Sequence, residues 1–185
     1  MPDTWQSTET SNVVFTDAGM LAIWDAERFR EVVDYDTWAL ELLEHEALGG
    51  HIDAGALVPI NIGQDGAWKV LVRTGTVAEP ATLTERESTY LAQTARPYLL
   101  ITGGVVRLSG LESVGVEMLD RTIELRLPAG RYTVGLHLID WSKEPGARAD
   151  NGEPRPHALP DFVVLIDPEH GRPDYRVCAE SFDLP

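Results

Sequence analysis

The sequence is short of nearly everything that would announce a chemistry. It contains one cysteine, Cys178, so no disulfide can form within the chain and no thiolate zinc cluster can be built from it. That fits a reducing compartment. Lys and Arg number 15 against 30 Asp and Glu, a net charge of −15. Nucleic acids and anionic membranes are gripped by clustered cations, so neither is expected as a partner. No apolar run approaches the ~20 residues a membrane helix needs. The start, Met1-Pro2-Asp3-Thr4-Trp5-Gln6-Ser7, lacks the basic and apolar regions of a secretory signal, and a cytoplasmic location is expected. Glycine-rich phosphate loops, a G-x-S-x-G elbow, an H-E-x-x-H helix and an EF-hand loop are all missing. The expectation is a protein that is not an enzyme and carries no cofactor and no metal.

What is present is a globular composition. The 185 residues are 43% hydrophobic, enough for a self-supporting core, and are read as one β-rich domain over 1–185. Val13–Phe15 and Met20–Trp24 flank the turn-like Asp17-Ala18-Gly19 and predict a hairpin. Residues 52–62 and 67–72 predict a second around Gly63–Gly66, and residues 98–101 and 105–108 a third around Gly103-Gly104. Residues 122–127 and 132–138 alternate most cleanly, placing Ile123, Leu125 and Leu127, and Tyr132, Val134, Leu136 and Leu138, toward the core. Phe162–Ile166 is a continuous apolar run, expected to be a strand buried on both faces, and 175–179 an edge strand. Asp25 can cap a short helix through 26–33, and Asp36 a firmer one that ends at Gly49-Gly50, with Trp38, Leu42 and Leu43 on its apolar stripe. Thr84 and Glu87 have capping-box spacing. The fold class expected is mainly β with minor α: an antiparallel β-sandwich of two similar halves, with one or two short helices in the first.

The halves echo each other. Phe15-Thr-Asp-Ala-Gly-Met-Leu21 recurs loosely as Ile101-Thr-Gly-Gly-Val-Val106, and Ile52-Asp-Ala-Gly55 as Leu127-Pro-Ala-Gly130, in the same order. A repeat of residues 12–74 in 97–141 is expected, with the helix near 37–48 as the excess of the first copy. The charge is unequal: residues 1–92 carry 16 acids and 5 bases, residues 93–185 carry 14 and 10.

Candidate sites follow from that inequality. Asp25, Glu27, Glu31, Asp34, Asp36, Glu41, Glu44 and Glu46 outnumber Arg28 and Arg30, and on a helix Glu41 and Glu44 would form a negative ridge away from Trp38 and Leu42. Such a surface steers and holds a basic protein; the alternative is an ordinary solvated helix face. We take Asp34, Asp36, Glu41, Glu44 and Glu46 as candidate protein-binding residues, with Trp141, at the mouth of the long loop 142–160, as a further contact. A rival site for a small ligand or metal lies in that loop and in Asp161, Asp167, Glu169, His170 and Asp174, whose composition also suits a polar turn. His45, His51, His137, His157 and His170 lack ligand spacing, and Cys178, with no flanking base, is read as a small buried apolar group. A third reading is a structural or oligomerising domain.

Three stretches carry a resemblance. Arg96-Pro-Tyr-Leu-Leu-Ile-Thr-Gly-Gly-Val-Val-Arg-Leu108, Arg121-Thr-Ile-Glu-Leu-Arg-Leu-Pro-Ala-Gly-Arg-Tyr-Thr-Val134 and Phe162-Val-Val-Leu-Ile-Asp167 resemble the strand order of the competence J family, inhibitors of the bacterial DNA-entry nuclease. The resemblance covers mainly the second half. It implies a small acidic β protein that blocks a nuclease by binding it, and it transfers no functional residue. The leading expectation is therefore a non-enzymatic acidic protein-binding module, an inhibitor or immunity-type protein of a basic partner such as a nuclease.

Overall fold

The computed structural model describes residues 6–115, 121–171 and 173–185. Ten strands form two sheets. The first sheet runs β1 (Thr8–Thr16), β4 (Gly66–Thr74), β10 (Phe162–Pro168), β9 (Gly130–Ile139), and the far side of β9 pairs with both β6 (Tyr98–Thr102) and the short β5 (Leu91–Thr94). The second runs β3 (Leu57–Asn61), β2 (Met20–Asp25), β7 (Val105–Gly110), β8 (Ile123–Arg126). The protein is a β-sandwich. Every strand pairing among the described residues is antiparallel except β4 with β10, which is parallel.

Alternation builds the core. Val70 and Val72, Tyr132, Val134, Leu136 and Leu138, and Phe162, Val164 and Ile166 come from the first sheet. They share one buried cluster with Leu21, Ile23, Val58, Ile60, Val106 and Leu108 of the second. Each such side chain contributes about 1.5–3 kcal/mol of transfer free energy. The row Tyr132 to Leu138 meets the core as its period requires, and Leu125 and Leu127 are buried while Ile123 is half-buried. β10 is buried on both faces because the loop after β9 and the helix α3 (Glu85–Thr89) cover the outer side of the first sheet. Ile139, Leu159 and Val163 form a second cluster there, joined by Leu83, Tyr90 and Trp141. Thr84 and Glu87 make the expected reciprocal capping box of α3.

The three expected hairpins are not hairpins. In each, the chain leaves one sheet and enters the other: β1 pairs with β4, β2 with β3 and β7, and β6 with β9. The passage from β8 to β9 also changes sheets. Each turn is an arch across the sandwich, so inward rows of consecutive strands meet each other through the core instead of lying side by side. Two arches stack at one end, where Gly19 O accepts from Ile62 N at 3.0 Å and Gly63 N at 2.8 Å. Gly19 sits at φ +67°, and a Cβ there would lie 3.1 Å from Gln64 N, so a glycine is needed for both reasons.

The helical region also differs from expectation. Asp25 does cap a 3₁₀ turn, Ala26–Phe29. The next cap is Asp34, with Asp36 in the first turn of α1 (Tyr35–Trp38); a π turn, Ala39–Leu43, follows, and the helix breaks at Glu44 before α2 (His45–Asp53). The break has a geometric cause. Leu42 and Leu48 are both buried, yet six residues of unbroken helix would set them about 240° apart. A break restores both to the core, and α2 then runs through Gly49-Gly50 to bury Ile52. Residues 175–179 form no strand. The last residues cross the side of the sandwich instead, bonding through Arg176 N to Pro97 O, Phe182 N to Asn61 O and Asp183 N to Gln93 Oε1. Cys178 is exposed, since only Phe182 of this stretch enters the core. No helix among the described residues is long and apolar enough to cross a membrane.

Candidate functional site

Residues 26–56 lie against the outer face of the second sheet. Trp24 anchors them, meeting Phe29 edge-on at 5.8 Å while its Nε1 donates to Ser109 Oγ at 3.1 Å. Trp38 Nε1 donates to Leu111 O at 2.9 Å, which fixes α1 over the turn after β7. Leu42, Leu48 and Ile52 face inward. The outward side then has to carry whatever the core rows leave.

What it carries is acidic and apolar together. Tyr35 is 70% exposed and Leu40 73%, with Val33 and Leu43 close behind, and between them stand Asp34, Asp36, Glu41, Glu44 and Glu46. Tyr35 stacks on Trp38 at 6.0 Å, which holds its ring in place. The acids divide into two kinds. Asp34 is occupied by its cap, and hydrogen bonds from the Thr37 backbone and hydroxyl hold its carboxyl below the usual range. Glu41 accepts from His51 at 2.7 Å. Asp36, Glu44 and Glu46 have no ion-pair partner among the described residues. The break at Glu44 dissolves the helical ridge expected of Glu41 and Glu44; the acids share a segment, not one helix face. Asp25 leaves the group entirely. It is buried and accepts from Glu27 N, Arg28 N and Gly103 N, a structural duty. The exposed apolar residues are what sequence reasoning missed, because the assumed helix placed Leu43 on the inward stripe.

A pocket of about 630 Å³, bordered by Trp24, Phe29, Arg30, Val33 and Arg107, opens beside this segment. Arg107 lies 5.4 Å over the Trp24 ring.

Trp141 does not join the acidic segment; the two lie on the outer faces of different sheets. Trp141 is half-buried, its Nε1 donates to Asp161 Oδ1 at 2.8 Å, and Arg148 covers its ring. The carboxylates of the rival site are dispersed. Asp161 also accepts from Lys69 N, Asp167 from Ala81 N, Glu169 pairs with Arg131 and Asp174 with Arg96. Burial raises the Asp167 pKa, partly offset by that Ala81 amide. Among the described residues no three His, Cys, Asp or Glu side chains gather as a metal site would require. His137 is held by Thr94 Oγ1 at 3.0 Å from Nδ1, and burial lowers its pKa.

No protein-family model matches the sequence. No curated protein matches it. Among solved structures the chain is similar to one described as crocagin biosynthetic gene J, with a TM-score of 0.58 and 16% identity over 89% of this chain and 98% of that one. It is also similar to ComJ, inhibitor of the DNA degrading activity of NucA, from Bacillus subtilis, with a TM-score of 0.47 and 11% identity over 89% and 96%. The first likeness is one of fold.

Proposed function

We propose that this protein is a non-enzymatic binding module that holds a basic protein through residues 33–46. One observation carries the reading: exposed Val33, Tyr35, Leu40 and Leu43 stand among Asp36, Glu44 and Glu46, acids with no cation of their own among the described residues. Apolar anchors give an interface its buried centre, and unpaired charges steer a partner of opposite sign. A solvated helix face would need only the acids. The net charge of −15 adds long-range attraction for a cation-rich surface. The finer reading is an inhibitor or immunity-type protein, and the resemblance of the second-half strands makes a nuclease the first class of partner to test.

The test is binding of purified basic nucleases by biolayer interferometry at low and high salt. Affinity should fall as salt rises, and the triple substitution Asp36→Lys, Glu44→Lys, Glu46→Lys should weaken it at least about tenfold, equivalent to ~1.4 kcal/mol. Tyr35→Ala should weaken it without changing the salt slope. Binding that ignores all four substitutions would remove this segment as the site.

A further inference from the structure

The edges of the two sheets are treated unequally. An unpaired sheet edge is a template for another strand, and folded proteins blunt it by shortness, charge, proline, irregularity or cover. β5 has four residues and a register irregularity between Leu91 and Gln93, and Asp183 N caps Gln93. Beside it, Ile101 N of β6 is taken by Gly55 O. β3 contains Pro59, and its end is bridged by Ser181. β8 has four residues and carries Glu124 and Arg126. β1 has the least of these: one charged residue, Glu9, near its start and paired with Arg73 of β4. Its nine residues, Thr8–Thr16, pair in unbroken register with β4 and include no proline, lysine or arginine, and no strand among the described residues pairs with its outer side. Val13 and Phe15 on it are 55% and 52% exposed.

This open edge adjoins the acidic segment. Both are mounted on the turn Leu111–Ser113: Trp38 Nε1 bonds Leu111 O at 2.9 Å, while Glu112 accepts from Thr16 Oγ1 at 3.0 Å and Asp17 N at 3.1 Å. We propose that β1 receives an extended segment of the basic partner as an added strand, with that segment's apolar side chains covering Val13 and Phe15 and its Lys or Arg side chains facing the acids beyond. Main-chain hydrogen bonds along β1 would supply affinity, and the alternating side chains selectivity. This rests on the basic-partner reading above. Charge decides between occupants, because pairing β1 with a second copy would bring two chains of −15 together.

The experiment uses the full chain and two synthetic probes. One is an alternating Lys-Val octapeptide; the other has the same side chains with every second backbone amide N-methylated, which keeps the charge and removes the ladder donors. Affinity is read by titration calorimetry and site of binding by hydrogen–deuterium exchange. The unmodified peptide should bind at least about tenfold more tightly than the methylated one and slow exchange in β1 by about tenfold or more. Equal affinity for the two peptides overturns strand addition while leaving the salt-sensitive acidic surface standing. Absence of β1 protection, including failure of the unmodified peptide to bind, also overturns it. A β1 already protected in a dimer of the free protein, seen by sedimentation, assigns the edge to a second copy and overturns the proposal. Protection of β1 by the peptide, together with nuclease binding that ignores the acidic segment, would sink the proposed docking segment and leave the receptive edge.

Discussion

The chain crosses the sandwich in the same way twice, and the two passes differ in what they carry. β1 to β4 runs first sheet, second sheet, second sheet, first sheet; β6 to β9 repeats that course, and the central pair of the second sheet, β2 with β7, joins one pass to the other. We take the shared course as support for proposing that residues 12–74 and 97–141 are copies of one unit within a single domain. In the first pass the middle strands are joined by residues 26–56, in the second by residues 111–122. The long connection carries three exposed acids, Asp36, Glu44 and Glu46, with no ion-pair partner among the described residues. Acids of the second half are paired within the chain, Glu144 with Arg86 of the first half and Asp174, Glu169 and Asp140 with Arg96, Arg131 and Lys143 of their own. A strand frame thus tolerates very different cargo on its outside, provided the connection returns apolar residues to the core, as Phe29, Leu42, Leu48 and Ile52 do here.

The hardest way to break this comparison is at Trp24, where the long connection meets the frame. Trp24→Ala should cost about 3–5 kcal/mol in urea unfolding, as large truncations in a core do. A loss under ~1 kcal/mol would mean that the connection is not part of the cooperative fold.

Next comes Glu87, which ties α3 to the first sheet through Arg73 at 3.0 Å. Burial pushes its pKa up, but the hydrogen bonds from Arg73 and Thr84, with the Arg73 charge, more than offset this and hold it below the ordinary value. Its contribution is therefore present above the unfolded glutamate pKa and is lost as pH falls through the lower folded one. Glu87→Gln should cost about 2–3 kcal/mol near neutral pH and flatten the acid limb of a stability–pH curve. An unchanged acid limb would remove this pair as its source.

A smaller effect tests where the passes touch. Gly55, at φ +68°, ends the long connection, and a Cβ on it would lie 2.9 Å from Ile101 Cγ1 of β6. Gly55→Ala should cost about 1–2 kcal/mol by thermal unfolding, whereas Gly103→Ala, with open space around it, should stay within ~0.5 kcal/mol. Equal costs would deny a tight joint at Gly55.

The smallest effect sharpens the contrast in charge. Asp36→Lys, Glu44→Lys and Glu46→Lys should each change stability by no more than ~0.5 kcal/mol, because each removes an exposed acid without a partner. A larger loss in guanidinium titration would show that these acids serve the fold and are not free for a partner.

Local signals in the sequence proved reliable where they act over a few residues. The Asp25 cap, the Thr84–Glu87 box, the row Tyr132 to Leu138 and the doubly buried β10 all follow from short-range periodicity or capping. The acidic segment was legible from its charge. Its apolar half was not, because the exposure of Leu40 and Leu43 depends on the break at Glu44, and that break is set by packing of Leu48 and Ile52. Arch and hairpin were equally indistinct. Both need strand, glycine turn and strand, and the choice lies with partners such as β4, far along the chain from β1.

The sequence by itself determined most of the segments that extend, which rows seek the core and where acid accumulates, since these depend on side-chain period and composition. Only the tertiary structure decided which sheet each strand joins, which edge stays open and which acids find a cation. Those outcomes depend on distant segments competing for the same hydrogen bonds and the same buried volume, and no local pattern records who wins.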